Sequence, residues 1–253
     1  SITISSAGDI TMVGISEAAN SSVARGTYFH TTDISASGNI SIIGQAKNSS
    51  NDYDVSFQES SLTTTNGSIS IKAQNEGRIN FVDSGSNDPL TAGGGNDIYL
   101  YANNFGNGIG LSTSGEVFIL SGYNTSDVAQ SSFTSSIDLG DFSFASSITG
   151  LTVGLSTNTA NVIFSNSLSV AGSITAHAAD IIINNGVQLT AGSNSNIVLN
   201  ASDDFINNNS SSSALNVSGT GRWLVYAADK DGNTYNMDSQ TQAIWGEDYS
   251  SLS

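Results

Sequence analysis

Phe29-His-Thr-Thr-Asp-Ile-Ser-Ala-Ser-Gly-Asn-Ile-Ser-Ile42 and Phe57-Gln-Glu-Ser-Ser-Leu-Thr-Thr-Thr-Asn-Gly-Ser-Ile-Ser-Ile71 state one structural phrase twice. Phe29 and Phe57 stand 28 residues apart, as do Ile34 and Leu62. The pieces Gly38–Ile42 and Gly67–Ile71 stand 29 apart, so one extra residue, Asn66 or its neighbour, has entered the second turn. Each phrase is an alternating strand, a corner of small residues, and a second alternating strand. Self-similarity at this period, with no helical pattern inside it, marks a stacked β-solenoid. The expected fold is therefore all-β, a parallel β-helix.

The text on either side follows the same rule. Ile2-Thr-Ile4, Asp9-Ile-Thr-Met-Val13, Asp97-Ile-Tyr-Leu-Tyr101, Glu116-Val-Phe-Ile-Leu120, Ser173-Ile-Thr-Ala176 and Asn196-Ile-Val-Leu199 alternate apolar with mostly polar residues. In a strand this turns the aliphatic side chains inward and the hydroxyls outward. Strand starts recur every 7–12 residues, which predicts two or three strands per coil and coils of roughly 20–30 residues. Polar text at 17–25, 47–54 and 123–136 reads as inserts leaving the corners, and Pro89 as a loop residue that cannot donate to a ladder. Asn184-Asn-Gly186 signals a tight turn. Stacked Asn side chains at successive corners can bond to one another.

After Ser210–Ser213 the character changes, and both tryptophans, Trp223 and Trp245, lie beyond that point. A solenoid's last coil exposes an open edge and an apolar end, so it needs an atypical cap. The expected organisation is a repeat domain over 1–218 and a Trp-containing C-terminal cap over 219–253. Trp223 is expected to pack over the final coil; the functional alternative is sugar stacking by Trp223, Trp245 and Tyr226.

Composition narrows the function. Six Lys and Arg against 22 Asp and Glu give a net charge of -16, which argues against nucleic acid and against anionic membranes. Cysteine is absent, so disulfides, thiolate metal sites and a Cys nucleophile are excluded. No apolar run approaches the roughly 18 residues of a membrane helix, and no membrane insertion is expected. The opening in mid-strand, Ser1-Ile-Thr-Ile-Ser, suggests a segment of something longer.

Catalytic signals are sparse. His30 and His177 are the two histidines; His30 aligns with Gln58 and is expected to face solvent, and His177 is expected at a corner. The carboxylate pairs Asp138/Asp141 and Asp203/Asp204 could serve a hydrolase of neutral glycans, though solvated loop acids are the plainer reading. Gly93-Gly-Gly-Asn-Asp-Ile98 is one imperfect copy of a calcium-binding glycine-rich repeat, with Asn96 and Asp97 as its candidate ligands. Apart from that calcium, no cofactor is expected. Among the Asn-x-Ser/Thr sequons, Asn48, Asn124 and Asn209 are candidate glycan acceptors.

Gly38-Asn-Ile-Ser-Ile-Ile, Leu62-Thr-Thr-Thr-Asn-Gly-Ser-Ile-Ser-Ile and Gly172-Ser-Ile-Thr-Ala resemble the repeats of filamentous-haemagglutinin-like adhesins, bacterial exoproteins of the two-partner-secretion type. Gly221-Arg-Trp-Leu-Val-Tyr226 is similar to a segment that ends repeat arrays in some of them. The resemblance covers most of residues 1–226. It implies a right-handed coil and a rigid, non-enzymatic shaft on a bacterial cell surface. It also implies an outer-membrane secretion partner for the parent protein, and a host-cell receptor, glycan or matrix polysaccharide as ligand. The competing expectation is a polysaccharide-acting β-helix enzyme, or a phage-tailspike-like glycan hydrolase. A flat Thr-x-Thr ladder for ice binding is approached only at Thr63–Thr65.

Overall fold

Three strands complete each turn of the chain, and the corners between them decide how closely the turns stack. The computed structural model describes residues 2–16, 24–46, 53–74, 77–82, 90–106, 108–124, 126–209, 214–228, 233, 234, 236 and 244–245. Its strands pair in parallel, each with the equivalent strand of the next coil. The fold is an all-β parallel β-helix.

One sheet runs through the whole stack. It has ten strands and includes Ile10–Ser16, Ile40–Ala46, Ile69–Ala73, Ile98–Tyr101 and Glu116–Leu120, then Gly150–Val153, Ser173–Ala178, Ile197–Ala201, Trp223–Ala227 and Ile244–Trp245. Ile10, Ile40, Ile69, Ile98, Val117, Leu151, Ile174 and Ile197 are register partners in succession. The step between them ranges from 19 residues, Ile98 to Val117, to 34, Val117 to Leu151. Inserts absorb the difference, so the ladder keeps its register while the corners vary. Two further faces complete the coil. A six-stranded sheet from Ile2–Ser6 to Phe142–Phe144 is succeeded in chain order by a three-stranded one that begins at Leu168–Ser169. A four-stranded sheet starting at Arg25–His30 is succeeded by another starting at Ile137–Asp138.

The Gly-x-Ile phrase has a steric meaning. Gly38, Gly67, Gly115, Gly172 and Gly221 each lie two residues before a register residue of the ten-stranded sheet. A Cβ at Gly67 would overlap Gly38, and one at Gly172 would overlap the Thr149 carbonyl. The residue between glycine and isoleucine carries a polar ladder. Asp9 Oδ1 accepts from Asn39 N (2.7 Å), Asn39 Oδ1 from Ser68 N (2.9 Å), and Ser68 Oγ from Asp97 N (3.3 Å). Asp97 Oδ1 accepts from Glu116 N (2.8 Å), and the ladder resumes where Ser173 Oγ accepts from Asn196 N (3.1 Å) and Asn196 Oδ1 accepts from Arg222 N (2.9 Å). Each rung satisfies a backbone amide that the turn leaves without a carbonyl. Stacking of polar corners is thus a property of Asp and Ser here as much as of Asn.

Inside the coils the aliphatic residues form one continuous core. Phe29, Phe57 and Phe81 stack at 5.1 and 4.6 Å with near-parallel planes, one ring per coil.

Three expectations change. Arg25 and Asp54 belong to strands, so those inserts are shorter than the polar text suggested; Asp54 is buried and its carboxylate accepts from Ala46 N and Arg78 N. His177 lies within the strand Ser173–Ala178 and is buried, not at a corner. The ten-stranded sheet also runs across residue 219 without a break, because Trp223 to Tyr226 pair with Ile197 to Asn200. The cap begins as one more coil of the same stack. Pro89, Glu17–Val23, Lys47–Asn51 and Ser210–Ser213 lie outside the described residues.

Candidate functional site

On the outer face of the ten-stranded sheet, one column of register partners reads Thr11, Ser41, Ser70, Tyr99, Phe118, Thr152 and Thr175. Alternation turns this column outward, because its strand neighbours Ile98, Leu100, Val117 and Ile119 are fully buried. Small hydroxyl residues therefore give way, over two coils, to aromatic rings. Tyr99 and Phe118 stack at 4.8 Å with planes 5° apart. That separation is the spacing between strands, so the ring faces look along the helix axis. Thr152 and Ser70 are the register neighbours on the two outer sides of this half-buried pair.

A second column places Tyr101 beside Tyr99, centroids 6.3 Å apart and planes 4° apart, in register with Lys72 and Leu120. The insert after Leu120 walls this end of the face. Tyr123 bridges to Gln74 and to Ala129 and meets Tyr101 edge-on at 5.4 Å. Gln74 Nε2 donates to Asp127 Oδ1 (2.9 Å), and Asn124 Oδ1 accepts from Ser126 N and Val128 N, which fixes the turn. Lys72 Nζ lies 4.0 Å over the Tyr123 ring and 3.9 Å from Asp127. Its charge is engaged inside the wall. The Tyr99 hydroxyl donates to Asp97 Oδ2 (2.9 Å). Burial first, then that bond and the Asp97 charge, push its pKa up to about 12, so it stays a neutral phenol.

The result is a stepped surface. Flat apolar ring faces stand next to a floor of serine and threonine hydroxyls, with the Asp97 and Glu116 carboxylates at the edge. Parallel half-buried rings beside hydroxyls give this face a flat apolar step next to hydrogen-bonding groups. The sequence offered one signal for this site, Tyr99 and Phe118 at outward positions where Thr11, Ser41, Ser70, Thr152 and Thr175 stand in neighbouring coils and Val198 and Leu224 in the last ones.

The residues singled out from sequence are distributed elsewhere. Trp223 is half-buried, packs against the core and stands in register with Ile197. Tyr226 is only 7% exposed, in register with Asn200; as a binding residue it is corrected, because so buried a ring offers little surface to a ligand. Trp245 lies in a terminal strand of the same sheet, and its side chain lies outside the described residues. Asn96 Nδ2 donates to Gly93 O (2.7 Å), and both oxygens of Asp97 accept hydrogen bonds. In this arrangement they hold a corner of the coil.

Asp138 and Asp141 do come together, around a shallow cavity of about 100 Å³ shared with Asn104 and Ser136. Asp138 Oδ1 accepts from Gly140 N (2.9 Å) and the Ser165 hydroxyl (2.5 Å), so it caps the short turn Leu139–Asp141. Burial and then the Asp138 charge raise the pKa of Asp141, while Arg78 opposes the shift. Asp203 and Asp204 gather with Asp180, their oxygens within 4.8 Å of one another. Asp180 is again a ladder rung: Oδ1 accepts from Asp204 N (3.2 Å) and Oδ2 from Asn161 Nδ2 (2.9 Å).

Asn209 is corrected as a glycan acceptor. It is 3% exposed, its Oδ1 accepts from Gly186 N, and its Nδ2 donates to Val187 O. Asn124 is half-exposed on the wall turn. Asn48 lies outside the described residues. His30 is exposed in register with Gln58, as expected.

His177 Nδ1 lies 3.2 Å from Asn200 Nδ2. With the amide as donor, Nδ1 is assigned as the unprotonated nitrogen. Burial lowers its pKa below the ordinary 6.5. A folded value below the unfolded one means that the neutral ring's contribution is fully present above pH 6.5 and is lost as pH falls through that value toward the folded pKa. Thermal melts from pH 7.5 to 5 should therefore fall more steeply for wild type than for His177→Gln; parallel curves would refute the assignment.

No family model matches the chain, and no curated protein and no solved structure matches it.

Proposed function

We propose that this chain is a rigid, non-enzymatic shaft of a secreted bacterial surface protein, whose outer sheet face binds uncharged glycans. The observation that carries this reading is the paired ring stack of Tyr99 and Phe118, half-buried on the outer face between Ser70 and Thr152. Supporting it, one ladder of ten strands runs through the stack, and each coil adds roughly 4.8 Å of length. Such a rod projects a site away from a cell. The net charge of -16 repels acidic polysaccharides, and the lysine at the face is held by Asp127 and Tyr123. The ligand class is a neutral host-cell glycan or matrix polysaccharide. An outer-membrane secretion partner for the parent protein belongs to the same reading.

Affinity electrophoresis through gels containing neutral polysaccharides tests it, with reducing ends assayed in parallel. Wild type should be retarded by at least one polymer, and the double variant Tyr99→Ser/Phe118→Ser should bind about tenfold more weakly, a difference of roughly 1.4 kcal/mol. Equal retardation of both proteins would remove the platform from the reading. Release of reducing ends would overturn the non-enzymatic assignment.

A further inference from the structure

The stack has a seam on a second face. Phe142–Phe144, last strand of the six-stranded sheet, pairs only backward with Ile109–Thr113. Leu168–Ser169, which occupies that face in the following coil, pairs only onward with Leu189–Ser193. No ladder joins the two. The seam is local: the 3-10 turn Leu139–Asp141 enters immediately before Phe142, while Ile137–Asp138 still pairs with Val162–Phe164 and Gly150–Val153 with Ser173–Ala178. The strands splay and leave a cleft of about 370 Å³.

The cleft is closed at both ends. Asn166 Nδ2 donates to Gly140 O (3.3 Å) at one end, and Ala171 N donates to Ile148 O (2.7 Å) at the other. A through-running peptide strand cannot enter. Phe142 and Leu168 lie buried beneath it, and Phe144 packs half-buried against the core. Ser143, Asn166 and Ser169 line the exposed rim, and among the described residues no ionisable side chain lines the cleft. Small-ligand sites begin at roughly 300 Å³ and combine an apolar surface with a few fixed polar groups. The volume here suits one ring-sized molecule, and the lining suits a ligand with hydroxyls and an apolar face but no charge.

We propose that this seam is a second binding site, one that takes a single uncharged sugar residue against Phe144. It shares a ligand class with the aromatic platform but none of its residues, and either can fail without the other.

Saturation-transfer NMR titrations of the full chain with methyl β-D-glucopyranoside and methyl β-D-galactopyranoside test the proposal. At least one glycoside should show saturable transfer from wild type. Ser169→Trp, which fills the cleft from an exposed rim position, should weaken it about tenfold. Ser146→Phe, from another rim position, should do the same and guards against misfolding of the first variant, with melting curves as the control. Tyr99→Ser/Phe118→Ser should leave the monosaccharide titration unchanged. No saturable transfer from either glycoside would overturn the proposal. So would wild-type affinity in both filled variants, or loss of the signal in the platform variant, which would place the sugar on the ten-stranded sheet.

Discussion

Phe57→Ala is expected to destabilise the chain by about 4 kcal/mol, the upper range for removing a fully buried aromatic ring. Phe57 is 1% exposed and lies between Phe29 and Phe81, stacked on both at 5.1 and 4.6 Å. Deleting the middle ring loses its own burial and opens a gap in the stack, because the coils on either side are tied by ladder hydrogen bonds and cannot collapse into it. Phe29→Ala should cost less, since that ring stacks on one neighbour and is 8% exposed. Urea denaturation read alongside amide exchange checks this, since solenoids can unfold by segments. Exchange should accelerate in Tyr53–Gln58 and Arg78–Val82 ahead of Ser173–Ala178. A loss of about 1 kcal/mol or less for Phe57→Ala would show that the stack relaxes, contrary to this account.

Gly172→Ala should rank second, at about 2–3 kcal/mol, in the range for overpacking a tight site. The added methyl would overlap the Thr149 carbonyl, which is backbone and cannot swing aside. The coil must instead open at the corner where Ala171 N and Gly172 N both donate to Ile148 O. Gly8 offers the control. It occupies the same place before Ile10, yet a Cβ there meets nothing within 4 Å. Gly8→Ala in the 253-residue chain should therefore change stability by no more than about 0.5 kcal/mol. Equal effects at the two positions would mean that the glycine serves turn conformation, not the close approach of coils.

These two substitutions also show what could be read in advance. Gly38-Asn-Ile and Gly67-Ser-Ile carry glycine for contact, a polar residue for the ladder and isoleucine for the core, all local in sequence and repeated. Alternation gave the inward set, and the Phe29/Phe57 spacing gave the stack. Asp97 takes a role in the coil corner that the glycine-rich text did not announce, because Gly93-Gly-Gly-Asn-Asp-Ile98 reads alike whether or not its aspartate accepts the next coil's amide. Tyr226 and Asn209 looked available because a sequence does not say which coil covers which.

The chain by itself determined the architecture: period, strand alternation and corner glycines are short-range features that one coil already expresses. Tertiary structure alone decided the sites. Tyr99 meets Phe118 because the two are register partners on adjacent coils, and the seam lies where Phe142–Phe144 and Leu168–Ser169 form no ladder. Insert length fixes which outward side chains become neighbours, and no local pattern encodes that distance. Only stacking, which holds register while letting corners vary, turns scattered tyrosines and serines into a surface.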